Sequence, residues 1–359
     1  MSGRFLSGEY LEAIRRRAGA GEQPWADAHA RLVAAAEEAL QQAPLSVRQN
    51  GGSPFFRQDA VYVPGKDGVV NPEANRKSGE LAGQLSRCSL TLALAWRLTG
   101  EPRYADKALQ LIHAWCINQN TYMNPTGRMV DSWTRGAEFG GDIILFGCFP
   151  GLFQAAYLLA DYAGWDLCAR AAVKRWVRAM IDPQRSRMFY EGREMYNNWD
   201  DARLLYLAKG ALFLDDLDLL IEVFDRWRLI LPLKMTDEGE LPRETMRTRS
   251  MHYTLFALHS MTEVAEIARQ FGEDLYDCEV NGRGLKKAVD YAARYLLHMD
   301  QWPFQMIQPL ADDRGGVNHM GLFEMAAARW GPHPYLDVIA VWGGRPVTAG
   351  HATLLFAAV

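Results

Sequence analysis

The chain has little that would cross-link a fold or tie it to a membrane or a nucleic acid. Its 359 residues include five cysteines, Cys88, Cys116, Cys148, Cys168 and Cys278, widely spaced and without a CxxC pair. So sparse and odd a set excludes a disulfide-stapled scaffold and offers no sequence-local zinc cluster, and the thiols read as mostly reduced and buried. No run reaches transmembrane length, and the opening MSGRFLSGEYLEAIRRR lacks the apolar stretch of a signal peptide. The expectation is a cytoplasmic protein if this start is native, and a secreted or periplasmic one if a signal peptide has been removed. Basic and acidic residues, 39 and 43, are mixed to a net charge of -4 with no basic stripe. No nucleic-acid partner is therefore expected. GxGxxG, Walker, HExxH and GxSxG arrangements are missing, which lowers nucleotide-enzyme, zincin and serine-hydrolase readings. No cofactor and no metal ligand set is legible.

What the chain does have is helical periodicity. Leu81, Leu85, Cys88, Leu92 and Trp96 mark one face of a helix over 80–99. Gly100 and Pro102 then stop and restart the chain, and Tyr104, Ala108, Leu111 and Trp115 mark the next helix, 102–118. Similar helices are predicted at 24–42, 147–163, 166–180, 200–214, 216–230, 250–270, 284–298 and 319–330, with a last helix or strand at TLLFAAV. Strand-like alternation is scarce. RQDAVYVPGKDGVVNPE reads as an irregular loop or a small hairpin. Long loops are expected at 43–79, 118–146, 181–199 and 231–248. Successive antiparallel helix pairs make an all-α toroid or solenoid. With no low-complexity linker, one domain over 1–359 is preferred to two. The 11 Trp are expected mostly in the core.

The densest polar cluster is LPRETMRTRSMHYTLFALHSMTEVAEIA. A helix beginning near Ser250 puts His252 and Tyr253 in its first turn, with Arg243, Arg247 and Arg249 just before it. A helix N-terminus favours anions, and arginine forks suit carboxylates. Nearby cations can lower a phenol far enough to act as a base. The cluster thus reads either as a carboxylate-binding, proton-transfer site or as a basic helix start anchored by a tyrosine. A second cluster, YEGREMYNNWDDARLLYLAKG, sets Asn197, Asn198 and Trp199 at a helix start. One asparagine can cap the helix, and the other can donate to a carboxylate. Candidate sugar contacts elsewhere are Arg57 and Tyr62, then Tyr122, Asn124, Arg128 and Arg135. His319 and His113 are further candidates, each better explained as structural.

In their order and spacing, these segments resemble the alginate lyase family of helical polysaccharide lyases, over about residues 55 to 310. Besides the two clusters, the resemblance rests on RQDAVYVPGKDGVVNPE, LALAWRLTGEPRYADKALQLIHAWCINQNTYMNP and GEDLYDCEVNGRGLKKAVDY. It implies an incomplete (α/α) toroid with a long cleft, and β-elimination at the C4 oxygen of a hexuronate in alginate, polymannuronate or glucuronan. It implies that Tyr253 acts as base, acid or both, that Arg247 or Arg249 is the nearby arginine, and that Asn198, with Asn197, neutralises the uronate carboxylate. The substrate-binding set would include Trp199, Arg243 and His319. One position departs from the family. Asn-Asn-His is common at the paired-asparagine helix, whereas this chain has Trp199, whose indole only donates. Three explanations follow: Tyr253 makes both proton transfers by a syn route; His252, His319 or His113 takes over; or the substrate or chemistry is altered or lyase activity is lost. A non-catalytic binder of acidic glycans and a toroid glycoside hydrolase are the other classes. The hydrolase would need two carboxylates among Glu138, Glu191, Glu194 and Glu244.

Overall fold

Gly100 shows how the chain turns one helix into an antiparallel pair. In the computed structural model, which describes residues 5–127, 142–190, 196–313, 318–345 and 351–357, Gly100 takes a left-handed φ of 79° and its N–H caps Trp96 O at 2.7 Å. Pro102 then opens the next helix, where its missing N–H has no partner to lose. The chain contains α1 (Gly8–Gly19), α2 (Trp25–Leu40), α3 (Lys77–Thr99), α4 (Pro102–Cys116), α5 (Ile143–Cys148), α6 (Pro150–Leu158), α7 (Leu167–Tyr190) and α8 (Asn198–Leu214). It continues through α9 (Leu217–Lys234), α10 (Pro242–Thr245), α11 (Ser250–Gln270), α12 (Leu285–Leu297), α13 (Leu322–Trp330), α14 (Tyr335–Val341) and α15 (His351–Phe356). Among the described residues no helix is long and apolar enough to cross a membrane.

By internal contacts the chain divides into two compact units. One holds Leu32–Glu191 and Tyr206–Leu220. Its core is aromatic: Phe149 meets Trp115, Phe153 and Trp176 at centroid distances of 6.3, 6.3 and 5.8 Å, and Phe153 meets Tyr206 at 5.1 Å. α3 packs on both α4 and α6. The helix predicted over 147–163 is two helices, because Pro150 cannot donate within a helix and instead occupies the first turn of α6. The loop predicted from 181 begins later, because α7 runs on through Pro183. Near that proline the Tyr206 hydroxyl donates to Met180 O at 3.0 Å. Gln184 donates to Gly127 O at 2.7 Å and to Asp142 at 2.9 Å, pinning the residues that flank 128–141. The 43–79 stretch is irregular, with a small hairpin closed by an antiparallel bridge between Tyr62 and Val70.

The other unit holds Met1–Arg31, Gly192–Leu205 and Ile221–Val359. α11 is its centre and packs on α10, α12 and α13. Its buried face includes Leu255, Leu258, Met261, Ala265 and Ala268, the stripe expected from helical spacing. Two elements were not foreseen. α1 is capped by Ser7, whose hydroxyl accepts from Tyr10 N at 3.2 Å. A two-residue hairpin, β1 (Glu279–Val280) with β2 (Arg283–Gly284), turns through Asn281 and Gly282, both at positive φ. α9 also runs through Pro232 to Lys234, shortening the loop expected at 231–248. A tight turn follows, in which Thr236 N donates to Glu240 O at 2.9 Å and Gly239 sits at φ 95°. A Cβ on Gly239 would lie 2.4 Å from Lys287 O. This turn delivers the short helix α10.

The two glycines make a graded test. Gly100 also has positive φ but nothing within 4 Å of a built Cβ. Gly100→Ala is expected to cost about 1 kcal/mol, from its backbone conformation alone. Gly239→Ala adds a clash with backbone and is expected to cost about 3 kcal/mol or more. Urea unfolding of the two variants checks the order, and equal losses would show that the Lys287 contact does not constrain the turn.

Candidate functional site

The start of α11 is held by a stretch of chain far away in sequence. Ser250 donates from its N–H and its hydroxyl to Gln305 O, at 3.3 and 2.8 Å, and accepts from Trp302 Nε1 at 2.8 Å. Ile307 N donates to Thr248 O at 2.9 Å, and Arg249 and Met306 form an antiparallel bridge. With the backbone of Thr248, Arg249 and Ser250 fixed, buried Arg249 forks onto Asp313. Its Nε lies 2.9 Å from Oδ2, and a terminal nitrogen pairs with Oδ1. His252 Nδ1 reaches the same Oδ1 at 3.1 Å. Burial alone would push the Asp313 carboxyl up, but hydrogen bonds and charge from His252 and Arg249 hold it well below the usual carboxylate range.

Tyr253 lies against both groups. It is buried, the Arg247 guanidinium carbon stands 3.8 Å from its ring centroid, and the His252 ring meets it edge-on at 5.1 Å. His252, Phe256, His259 and Glu263 share a stripe of α11 by their spacing. His319 packs on that stripe, at 6.2 Å from the His252 ring, 5.2 Å from Phe256 and 5.1 Å from His259. Burial, and then the charges of His259 and His252, lower His319 well below an ordinary histidine despite Asp313. Among the described residues no group of three or more His, Cys, Asp or Glu side chains is placed to hold a metal ion.

The paired asparagines divide their work. Asn197 Oδ1 accepts Trp199 N at 3.0 Å and caps α8. Asn198 is turned onto Glu244 of α10, donating its N–H to one carboxylate oxygen at 2.6 Å and its amide Nδ2 to the other at 2.5 Å. Both residues are buried. Burial pushes the Glu244 carboxyl up, opposed by the Asn198 hydrogen bonds and by the charges of Lys234 and Arg247. Next to them Lys234 and Asp201 form an ion pair with side chains 1% and 0% exposed. Asp201 is pushed up to about 7 by its burial, against Lys234.

Tyr253, Arg247, Arg249, His252 and His319 thus form one cluster, and Asn197, Asn198 and Trp199 a second. Glu244 connects them, since it binds Asn198 and feels the Arg247 charge. Arg243 is exposed on α10, and Trp199 is half-buried. Arg57, Tyr62, Tyr122 and Asn124 belong to the other unit, as does His113, which packs 6.2 Å from Trp165. Arg128 and Arg135 lie outside the described residues, as do Glu138, Glu191 and Glu194. Glu244, considered above as a hydrolytic carboxylate, has both oxygens engaged by Asn198. Sequence reasoning missed Asp313 and the 305–307 segment. Asp313 stands in a plain acidic pair beside Asp312, with no spacing that links it to a helix 60 residues earlier.

Asp313 has its folded value depressed, so it lends stability in full above the unfolded carboxylate value of about 3.9 and loses it as pH falls through the folded value. Asp313→Asn is expected to unfold at lower temperature than the parent at neutral pH. That gap should close as pH falls below about 4. Thermal unfolding at several pH values tests this, and a gap that stays constant into acid would count against the assigned ion pair.

Comparison with known proteins carries the fold. Among solved structures, an alginate lyase from Bacteroides ovatus matches with a TM-score of 0.82 and 22% identity over 100% of each chain. Alginate lyase A1-III from Sphingomonas species A1 matches at 0.68 and 20%, covering 97% of this chain and 95% of that one. A tyrosine-to-phenylalanine variant of A1-III, complexed with a tetrasaccharide, matches at 0.68 and 21%, covering 97% and 94%. No curated protein matches. The fold is of the all-α, α/α toroid class seen in these enzymes. The sequence model of the alginate lyase family matches residues 17–302, and the chain accordingly belongs to that family, as a polysaccharide lyase acting by β-elimination on an acidic glycan.

Proposed function

We propose that the chain cleaves a uronate polymer, alginate, polymannuronate or glucuronan, with Tyr253 moving the protons. In this reading the Tyr253 phenolate takes the C5 proton, and the resulting phenol returns a proton to the C4 oxygen as the glycosidic bond breaks. The observation that carries it is the Arg247 guanidinium 3.8 Å over the Tyr253 ring. A cation at that distance favours the phenolate and so the base form. It also favours Arg247 of the two arginines left open by the sequence. Arg249 is spent on Asp313, whereas Arg247 sits on the reacting side chain.

Negative charge grows on the uronate carboxylate as C5 loses its proton, and donors aimed there lower the barrier. We assign the first contact to half-buried Arg247. Asn198 is assigned the second, through the amide N–H that Glu244 does not take. Because Asn198 is buried in the free chain, that contact requires substrate to displace what covers it. The duty of the histidine that Trp199 replaces is assigned to His252. That duty is charge neutralisation beside Tyr253, with the His252 ring held at Nδ1 by Asp313.

Digestion of a panel of polyuronates is expected to give a C4–C5 unsaturated uronyl end, followed by its ultraviolet absorbance. Tyr253→Phe should lower kcat about 10³-fold, and Arg247→Gln about 10²-fold, with folding checked by circular dichroism. A panel that yields no unsaturated end overturns the substrate class. Undiminished turnover by Tyr253→Phe overturns the assignment of that residue.

A further inference from the structure

The unit that lacks Tyr253 carries a pocket of its own, with a volume of about 620 Å³. It lies where the end of α4, the 117–125 segment and one face of α7 meet, with Arg48 at its edge. Its walls are fixed by hydrogen bonds. Tyr122 N donates to Asn118 O at 2.7 Å and Met123 N to Trp115 O at 2.8 Å. The Thr121 hydroxyl donates to Ala114 O at 2.7 Å, Ser46 to Thr121 O at 2.6 Å, and Trp176 Nε1 to Met123 O at 2.8 Å. Such a pocket needs little reordering to take a ligand.

Its lining joins two kinds of surface. Ile117, Ala172 and Trp176 give an apolar floor, while Arg48 and Arg175 supply positive charge, and among the described residues no acidic side chain lines it. The Arg48 guanidinium lies 5.7 Å from the Tyr122 ring and reaches Gln119 O at 3.5 Å, and its buried Nε has no hydrogen-bond partner. Arg175 is exposed and has no hydrogen bond or ion pair among the described residues. Elsewhere in this unit Arg97 pairs with Asp161, Arg103 with Glu37 and Arg178 with Asp216. Two unmatched guanidinium groups around an apolar floor suit a ring with one hydrophobic face and a carboxylate at its edge.

We infer that this pocket is a second binding site for a uronate residue, which retains an acidic glycan without cutting it. The choice of a uronate rests on the function proposed above, whereas the binding test does not depend on turnover. Its residues are distinct from the Tyr253 cluster.

Calorimetric titration of the full chain carrying Tyr253→Phe with a saturated uronate trisaccharide is expected to give two sites. The same chain with Arg48→Gln and Arg175→Gln added should give one. In the otherwise unaltered enzyme that double change should raise KM for polymer about tenfold, the loss of about 1.4 kcal/mol of binding, and leave kcat and trisaccharide cleavage unchanged. Unchanged melting temperatures would confirm that the variants fold. One site in the Tyr253→Phe chain, or two in both, overturns the proposal. Equal second-site binding of a neutral trisaccharide overturns it too, because the arginines would then not be the reason for binding. Lyase failure is separately visible, as absence of an unsaturated product in the unsubstituted chain.

Discussion

A carboxylate removed from water has to be given donors, and Glu244 is where that requirement governs the candidate site. Asn198 supplies two hydrogen bonds, and the charges of Lys234 and Arg247 supply the rest. Leaving such a group without partners would cost several kcal/mol. The start of α8, the end of α9 and the short α10 are therefore bound to one another through a single side chain. The same requirement explains why two asparagines stand together: one closes the helix end, and the other answers the acid.

Charge is distributed unevenly around Tyr253. Asp313 is held ionised and occupies Arg249 and one edge of His252. The Arg247 charge is shared between Glu244 and the ring face of Tyr253. One arginine is thus tied to a buried acid, and the other lies over the tyrosine ring. Such a field is already set before substrate arrives, which is the condition under which electrostatics accelerates a reaction most.

Much of the helical framework was legible, because burying one face of a helix leaves a period that survives in the sequence. The 250–270 helix and its apolar stripe are the clearest case, with Gly100 and Pro102 next. Prolines were harder to read. Pro150 splits a predicted helix, whereas α7 and α9 continue through Pro183 and Pro232. What differs is the tertiary surroundings, such as the Tyr206 hydroxyl near Pro183, and these have no local trace. At the site, the grouping of arginines, His252 and Tyr253 was visible because one helix start holds them all. The different partners of Arg247 and Arg249 were not visible, because they depend on Asp313, 64 positions beyond Arg249. The direction of Asn198 was hidden as well, since its partner lies 46 positions on.

The 305–307 segment gives the site an order of assembly. The start of α11 is completed by a carbonyl 55 residues downstream of Ser250, and Arg249 by an acid 64 residues downstream. A chain growing from its N-terminus thus completes its tyrosine helix before the residues that frame it have been added. A product terminated before Asp313 would present Tyr253 on a helix without the acid that orders its neighbours. Completion of the candidate site thereby becomes a late event of synthesis, separate in time from the appearance of Tyr253.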